Sequence, residues 1–131
     1  MKPCVLTALA FLLATPAWAD DLKPMDLSAA DPDMLAEFFG PWEIQSAGGD
    51  KTCDVTLSRD EAIGGMTIEV GGDCAETFPV MGKVAAWRLY EDWTIVLVDA
   101  ERKELIRFSA PDEEYMATPE TDGIATIVQP D

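Results

Sequence analysis

Carboxylates dominate the reactive side chains of this sequence. Asp and Glu number 25, Lys and Arg nine, and histidine is absent, giving a formal charge of −16. Without histidine the chain lacks the commonest general base, the Ser-His and Cys-His nucleophile pairs and most zinc or haem ligation. An enzyme built from it would have to run on carboxylates. Paired-carboxylate chemistry needs two acids facing one cleft across a defined gap. Asp20-Asp21, Glu91-Asp92 and Asp112-Glu113-Glu114 fall instead at turns or near a terminus, where acids serve as solvated charge. Calcium needs alternating acids in a loop with a glycine turn. Asp31-Pro32-Asp33 is too short for that and suits a helix start better. The sequence reads as a non-enzyme with no cofactor and no metal site. Its acidity also argues against nucleic acid or an anionic membrane as partner, because phosphate binding needs a basic face.

Three cysteines remain to be placed: Cys4, Cys53 and Cys74. Residues 1–19 have the secretory pattern, with Lys2, an apolar run from Val5 to Ala14 and Ala17-Trp18-Ala19 as a small-residue cleavage site. Cleavage there removes Cys4 and Lys2 and no acid, leaving 112 residues with a charge of −17. The expected location is periplasmic or secreted, and no later segment has the length of a membrane-spanning helix. In an oxidising compartment the two remaining cysteines favour a Cys53–Cys74 disulfide. Two cysteines without histidine make a poor metal site, and their spacing is not the C-x-x-C of redox catalysis.

The elements that would position these groups follow from local pattern. Residues 20–30 (DDLKPMDLSAA) have no sustained period and contain Pro24, so they read as an extended N-terminal arm. A short helix is expected over 32–39, with Asp31 as N-cap, Pro32 at the first helical position and Gly40 as C-cap. Met34, Leu35, Phe38 and Phe39 would form its apolar face. From Trp42 onward, period-two alternation and glycine turns mark eight short strands, the last ending at Val128. One strand, Trp93 to Asp99, is apolar on both faces. Residues 74–82 look irregular, with room for one helical turn. No connection holds a crossover helix, so the sheet is expected to be antiparallel. The domain over 31–131 is therefore all-β, an eight-stranded up-and-down barrel or a sandwich of the same strands. Trp42, Trp87 and Trp93 are expected to fill its core or plug an end. With so short a chain the interior should hold side chains in place of a ligand. The arm, fully extended, would reach on the order of 35 Å, long enough to enter a cleft on another protein.

Several segments together resemble one family. They are Gly40-Pro41-Trp42, Cys53 followed by Asp54-Val55-Thr56-Leu57, Gly71-Gly72-Asp73-Cys74, Val84-Ala85-Ala86-Trp87-Arg88, Ile95-Val96-Leu97-Val98-Asp99 and Leu105-Ile106-Arg107-Phe108. Their order and spacing, from about Phe39 to Tyr115, resemble the bacterial alkaline-protease inhibitors, small periplasmic proteins that inhibit serralysin-type zinc metalloproteases. The resemblance implies an eight-stranded antiparallel barrel with the Cys53–Cys74 bridge. It implies an N-terminal trunk that enters the protease cleft, carried here by Asp20, Asp21, Leu22, Lys23, Pro24 and Met25. The partner would be a secreted zinc metalloprotease, met by a monomer. Trp42 lies 23 residues into the predicted mature chain, farther than the matching tryptophan of the family. The arm begins with Asp20-Asp21 where the family has small neutral residues. Trp93 and Glu101-Arg102-Lys103 stand where the family's turns usually hold glycine. Two other readings use the same scaffold: a periplasmic module binding an envelope component or another protein, and a small-ligand carrier with an internal cavity.

Overall fold

Alternation places Cys53, Val55 and Leu57 on one face of a strand and Asp54 and Thr56 on the other, and only the first three are buried. The same rule builds the whole body. The computed structural model describes residues 23–110 and 114–130. The expected signal peptide (1–19), Asp20, Asp21, Leu22 and the Asp112-Glu113 pair lie outside the described residues. The strands are β1 (Gly40–Ser46), β2 (Thr52–Ala62), β3 (Gly65–Val70), β4 (Val84–Tyr90), β5 (Thr94–Asp99), β6 (Glu104–Ser109), β7 (Tyr115–Thr118) and β8 (Ile124–Val128). Each pairs antiparallel with the next, and β8 returns to β1 through Ile44↔Ile127. The barrel is closed, which settles the choice against a sandwich. Its interior is filled by side chains, among them Ile44, Leu57, Trp87, Leu97, Ile106 and Phe108.

The outer face of β4 and β5 is buried as well. Ala86, Tyr90, Val96 and Val98 form a second apolar cluster with Ala62 against it. The β2–β3 hairpin makes this possible. The β2–β3 register shifts between Leu57 and Glu61, and the tip reaches across so that a Cβ on Gly64 would lie 3.6 Å from Val98 Cγ2. Arg88 Nε donates to the Gly64 carbonyl at 2.5 Å, and its Nη1 donates to the Tyr90 hydroxyl at 3.0 Å. That hydroxyl donates to Glu104 Oε2 at 3.0 Å. Arg107 pairs with Glu104 at 2.7 Å and holds its carboxyl below the usual carboxylate range, with Tyr90 adding to the effect. A belt of charge-assisted hydrogen bonds thus covers the outer apolar cluster.

Connections alternate between the two ends of an up-and-down barrel, and each end is lidded. At the end holding the β4–β5 connection, the lid is α1 (Pro32–Ala36) with the chain that follows it. Asp31 caps α1 by accepting from the Asp33 N–H at 2.9 Å. The helix is shorter than 32–39 because its last N–H groups, on Glu37, Phe38 and Phe39, bond three residues back to Met34, Leu35 and Ala36 and tighten the turn. Gly40 is not its cap. It opens β1 at φ 121°, a backbone conformation open to glycine. Leu35 is buried, and Phe38 stacks 6.0 Å from Trp42 and 5.3 Å from Trp93. Trp93 precedes β5 in a 3₁₀ turn (Glu91–Trp93) and takes φ 64°. Its strand-like composition is overridden by the Phe38 stack and by the Tyr115 hydroxyl, which donates to its carbonyl at 2.7 Å. Arg102, in the Glu101-Arg102-Lys103 turn, takes φ 70°. Both residues hold left-handed backbone, where glycine is at ease.

At the other end the lid is α2 (Cys74–Thr77) with the 3₁₀ turn Pro79–Lys83. Cys74, Phe78, Val80 and Met81 are buried in the barrel mouth. The Cys53–Cys74 disulfide ties α2 to the start of β2, with the Cα atoms 5.1 Å apart. The Val80 N–H donates to Asp122 Oδ2 at 2.6 Å, joining the lid to the β7–β8 turn.

Candidate functional site

Of the six arm residues singled out by sequence, the structure describes Lys23, Pro24 and Met25. It places them on the edge of β4. Strand β3 meets β4 at one register pair, Met66↔Trp87. Beyond it the main chain of β4 has hydrogen-bonding groups with no strand opposite. The N-terminal segment takes them. The Met25 N–H donates to the Leu89 carbonyl at 2.9 Å, and the Glu91 N–H donates to the Lys23 carbonyl at 2.8 Å. Between these bonds Pro24 faces Tyr90 in an antiparallel bridge. At that position of the ladder an N–H would point away from β4, so proline costs no hydrogen bond.

Side chains reinforce the ladder. Met25 and Leu27 are half-buried and pack against the main core. They stand over the narrow β3–β4 seam, in a cleft of about 220 Å³ lined also by Gly65, Met66 and Trp87. After Leu27 the chain reverses. Asp26 Oδ1 accepts from the Ser28 N–H at 3.1 Å and from its hydroxyl at 2.7 Å, and these bonds lower the Asp26 carboxyl below its ordinary pKa. The Ala29 and Ala30 N–H groups bond back to the carbonyls of Asp26 and Leu27 and deliver the chain to Asp31. The segment expected to be an extended arm is thus, over its described residues, an extended stretch held to the β4 edge by one β-bridge and followed by a turn.

The Lys23 side chain is exposed, and so is Pro24. Beside them lies a surface depression of about 350 Å³, with Met25, Ala29 and Trp93 as apolar lining and Asp26, Glu91 and Asp92 as carboxylates. Sequence reasoning did not find Leu89, Tyr90 and Glu91, which seat the segment. Seating here is a main-chain matter, and no side-chain motif marks it. Among the described residues no group of three or more Cys, Asp or Glu side chains gathers as a metal site. What the arrangement offers is a barrel that holds Lys23–Met25 of its own chain in an extended course along its edge, a geometry suited to presenting a peptide.

No helix of the described residues is long and apolar enough to cross a membrane. No curated protein matches the chain. The family model described as protease inhibitor Inh matches residues 33–129, which takes in both lids and all eight strands and leaves the edge-bound segment before it. With the closed barrel and the Cys53–Cys74 bridge in place around that match, the chain belongs to the protease inhibitor Inh family, the bacterial alkaline-protease inhibitors.

Proposed function

We propose that this protease inhibitor acts on a secreted zinc metalloprotease of the serralysin type, and that its mature N-terminus enters the active-site cleft. Residues 1–19 would direct export to the periplasm or beyond, and cleavage would expose Asp20 as the new terminus. The observation that carries the reading is the seat on β4. The bonds from Met25 to Leu89 and from Glu91 to Lys23 fix the chain at Lys23, so that Asp20, Asp21 and Leu22 start from a defined point of a rigid barrel. An ordered base lowers the entropy lost when a peptide is bound. The protease supplies the metal, and the carboxylates of Asp20 and Asp21 are oxygen donors of the kind zinc accepts. The small-ligand reading has less to support it, because side chains fill the barrel interior.

Inhibition assays with mature protein beginning at Asp20 test the proposal. The zinc protease should be inhibited, and serine and cysteine proteases left active. A form beginning at Lys23 should lose inhibition by about tenfold or more while its melting temperature stays the same. The truncation stops at Leu22 because a longer one would take Met25 and Leu27 out of the core. Equal potency of the two forms would overturn the mechanism.

A further inference from the structure

We infer that Lys23–Leu27 is a positioning clasp that sets how far the N-terminus can reach, an inference that rests on the cleft-insertion reading above. Trp42 lies 23 residues into the predicted mature chain, which invites the picture of a long free arm. The structure uses that length differently. From Lys23 onward the chain is committed to its own barrel, first to the β4 edge, then to the Asp26 turn and then to α1. Only three residues separate Lys23 from the predicted cleavage site. Fully extended, they span on the order of 10 Å.

Three features make the clasp specific in register. Its bonds are main-chain bonds on both sides of Pro24, so a slip of one residue would carry Pro24 into a position that needs an N–H. Met25 and Leu27 face the core while Asp26, between them, is exposed, and a one-residue slip would exchange them. The β3–β4 seam has one register pair, and the clasp covers the stretch of β4 that β3 leaves open. The clasp also precedes the region that the family model matches. Depth of insertion then follows from the number of residues ahead of the clasp. A tether that is too long dilutes its own end and mislocates the residues meant for the metal.

The test uses the mature full chain, with two glycines inserted between Leu22 and Lys23, or with Met25→Pro or Met25→Leu. Melting temperature, amide hydrogen exchange at Glu91 and potency against the zinc protease are read for each. The insertion should leave melting and Glu91 protection unchanged and weaken inhibition by about twofold or more, since three tether residues become five. Met25→Pro removes the N–H that bonds Leu89, and it should lose Glu91 protection together with potency. Met25→Leu should retain both. Full potency of the insertion variant would overturn the ruler, and a Glu91 amide that exchanges freely in the unaltered protein would overturn the clasp. If the form beginning at Lys23 keeps its potency, the insertion reading itself has failed. If that form is impaired while the insertion variant is not, only the present inference has failed.

Discussion

At one end of the barrel Phe38, Trp42, Trp93 and Tyr115 close the mouth ring against ring. At the other, a covalent bridge from Cys53 to Cys74 and the Val80–Asp122 hydrogen bond tie a buried loop in place. Both lids are short segments that hold too few turns to be stable helices alone. The aromatic lid works in the folded state, through packing and through two hydrogen bonds to main-chain carbonyls. Trp42 Nε1 donates to Phe38 at 2.9 Å, and the Tyr115 hydroxyl donates to Trp93. The disulfide works mainly on the unfolded chain by removing its freedom. The aromatic lid also holds the Glu91–Trp93 turn that receives the N-terminal segment, so the end that serves the proposed function is the one without covalent reinforcement.

The largest effect should come from Trp42→Ala. Trp42 is 5% exposed and touches both Phe38 and Tyr115, so the change should cost about 3–5 kcal/mol in a denaturant titration. A cost below about 1 kcal/mol would mean that the rings decorate an end closed by something else. Next comes the double change Cys53→Ser with Cys74→Ser. The bridge spans 21 residues, for which loop-closure entropy gives roughly 3 kcal/mol. If the two lids differ as described, this variant should melt lower and yet inhibit fully at temperatures where it is folded. Loss of potency in a folded double variant would show that the two ends are coupled.

Most strands were legible because one face is wet, or nearly so, and period two survives along them. The burial of β5 on both faces was legible too, in the run Ile95-Val96-Leu97-Val98. What covers its outer face was not, since the β2–β3 hairpin arrives there by a register shift that no local pattern encodes. The pairing of Cys53 with Cys74 was legible from an expected signal peptide, which would remove Cys4, and from the count of two that this leaves. Trp93 and Gly40 were misplaced for opposite reasons. Trp93 has the composition of a strand but is held in left-handed backbone by contacts from Phe38 and Tyr115. Gly40 stands where a helix cap is expected, but the helix has already tightened and ended. The seat of Lys23 and Met25 depends on where β3 stops pairing with β4. That is a property of two strands distant in sequence; Pro24 and the alternation of Met25, Asp26 and Leu27 suit a sheet edge but do not point to β4 as the one that receives them.

The smallest effect, and the one that sharpens the comparison most finely, is the contribution of a single hydroxyl to the aromatic lid. Burial pushes the Tyr115 pKa up to about 12, and the nearby Asp92 carboxylate adds to the shift. In the unfolded chain a tyrosine titrates near 10. The folded value is the higher one, so folding favours the protonated phenol. Its contribution is complete below about pH 10 and is lost as pH rises through about 12. Tyr115→Phe keeps the edge-on contacts to Trp42 and Phe38 but has no proton to give the Trp93 carbonyl. The native protein should therefore be the more stable of the two near neutral pH, and the gap should shrink between pH 10 and 12. Tyrosinate absorbance, followed beside unfolding midpoints, would tie the change to this side chain. Absence of a gap near neutral pH would place the Tyr115 contribution in ring packing alone and leave the Trp93 turn without its hydrogen-bonded anchor. A gap that stays constant from pH 10 to 12 would show that ionisation of this phenol is not what the fold opposes.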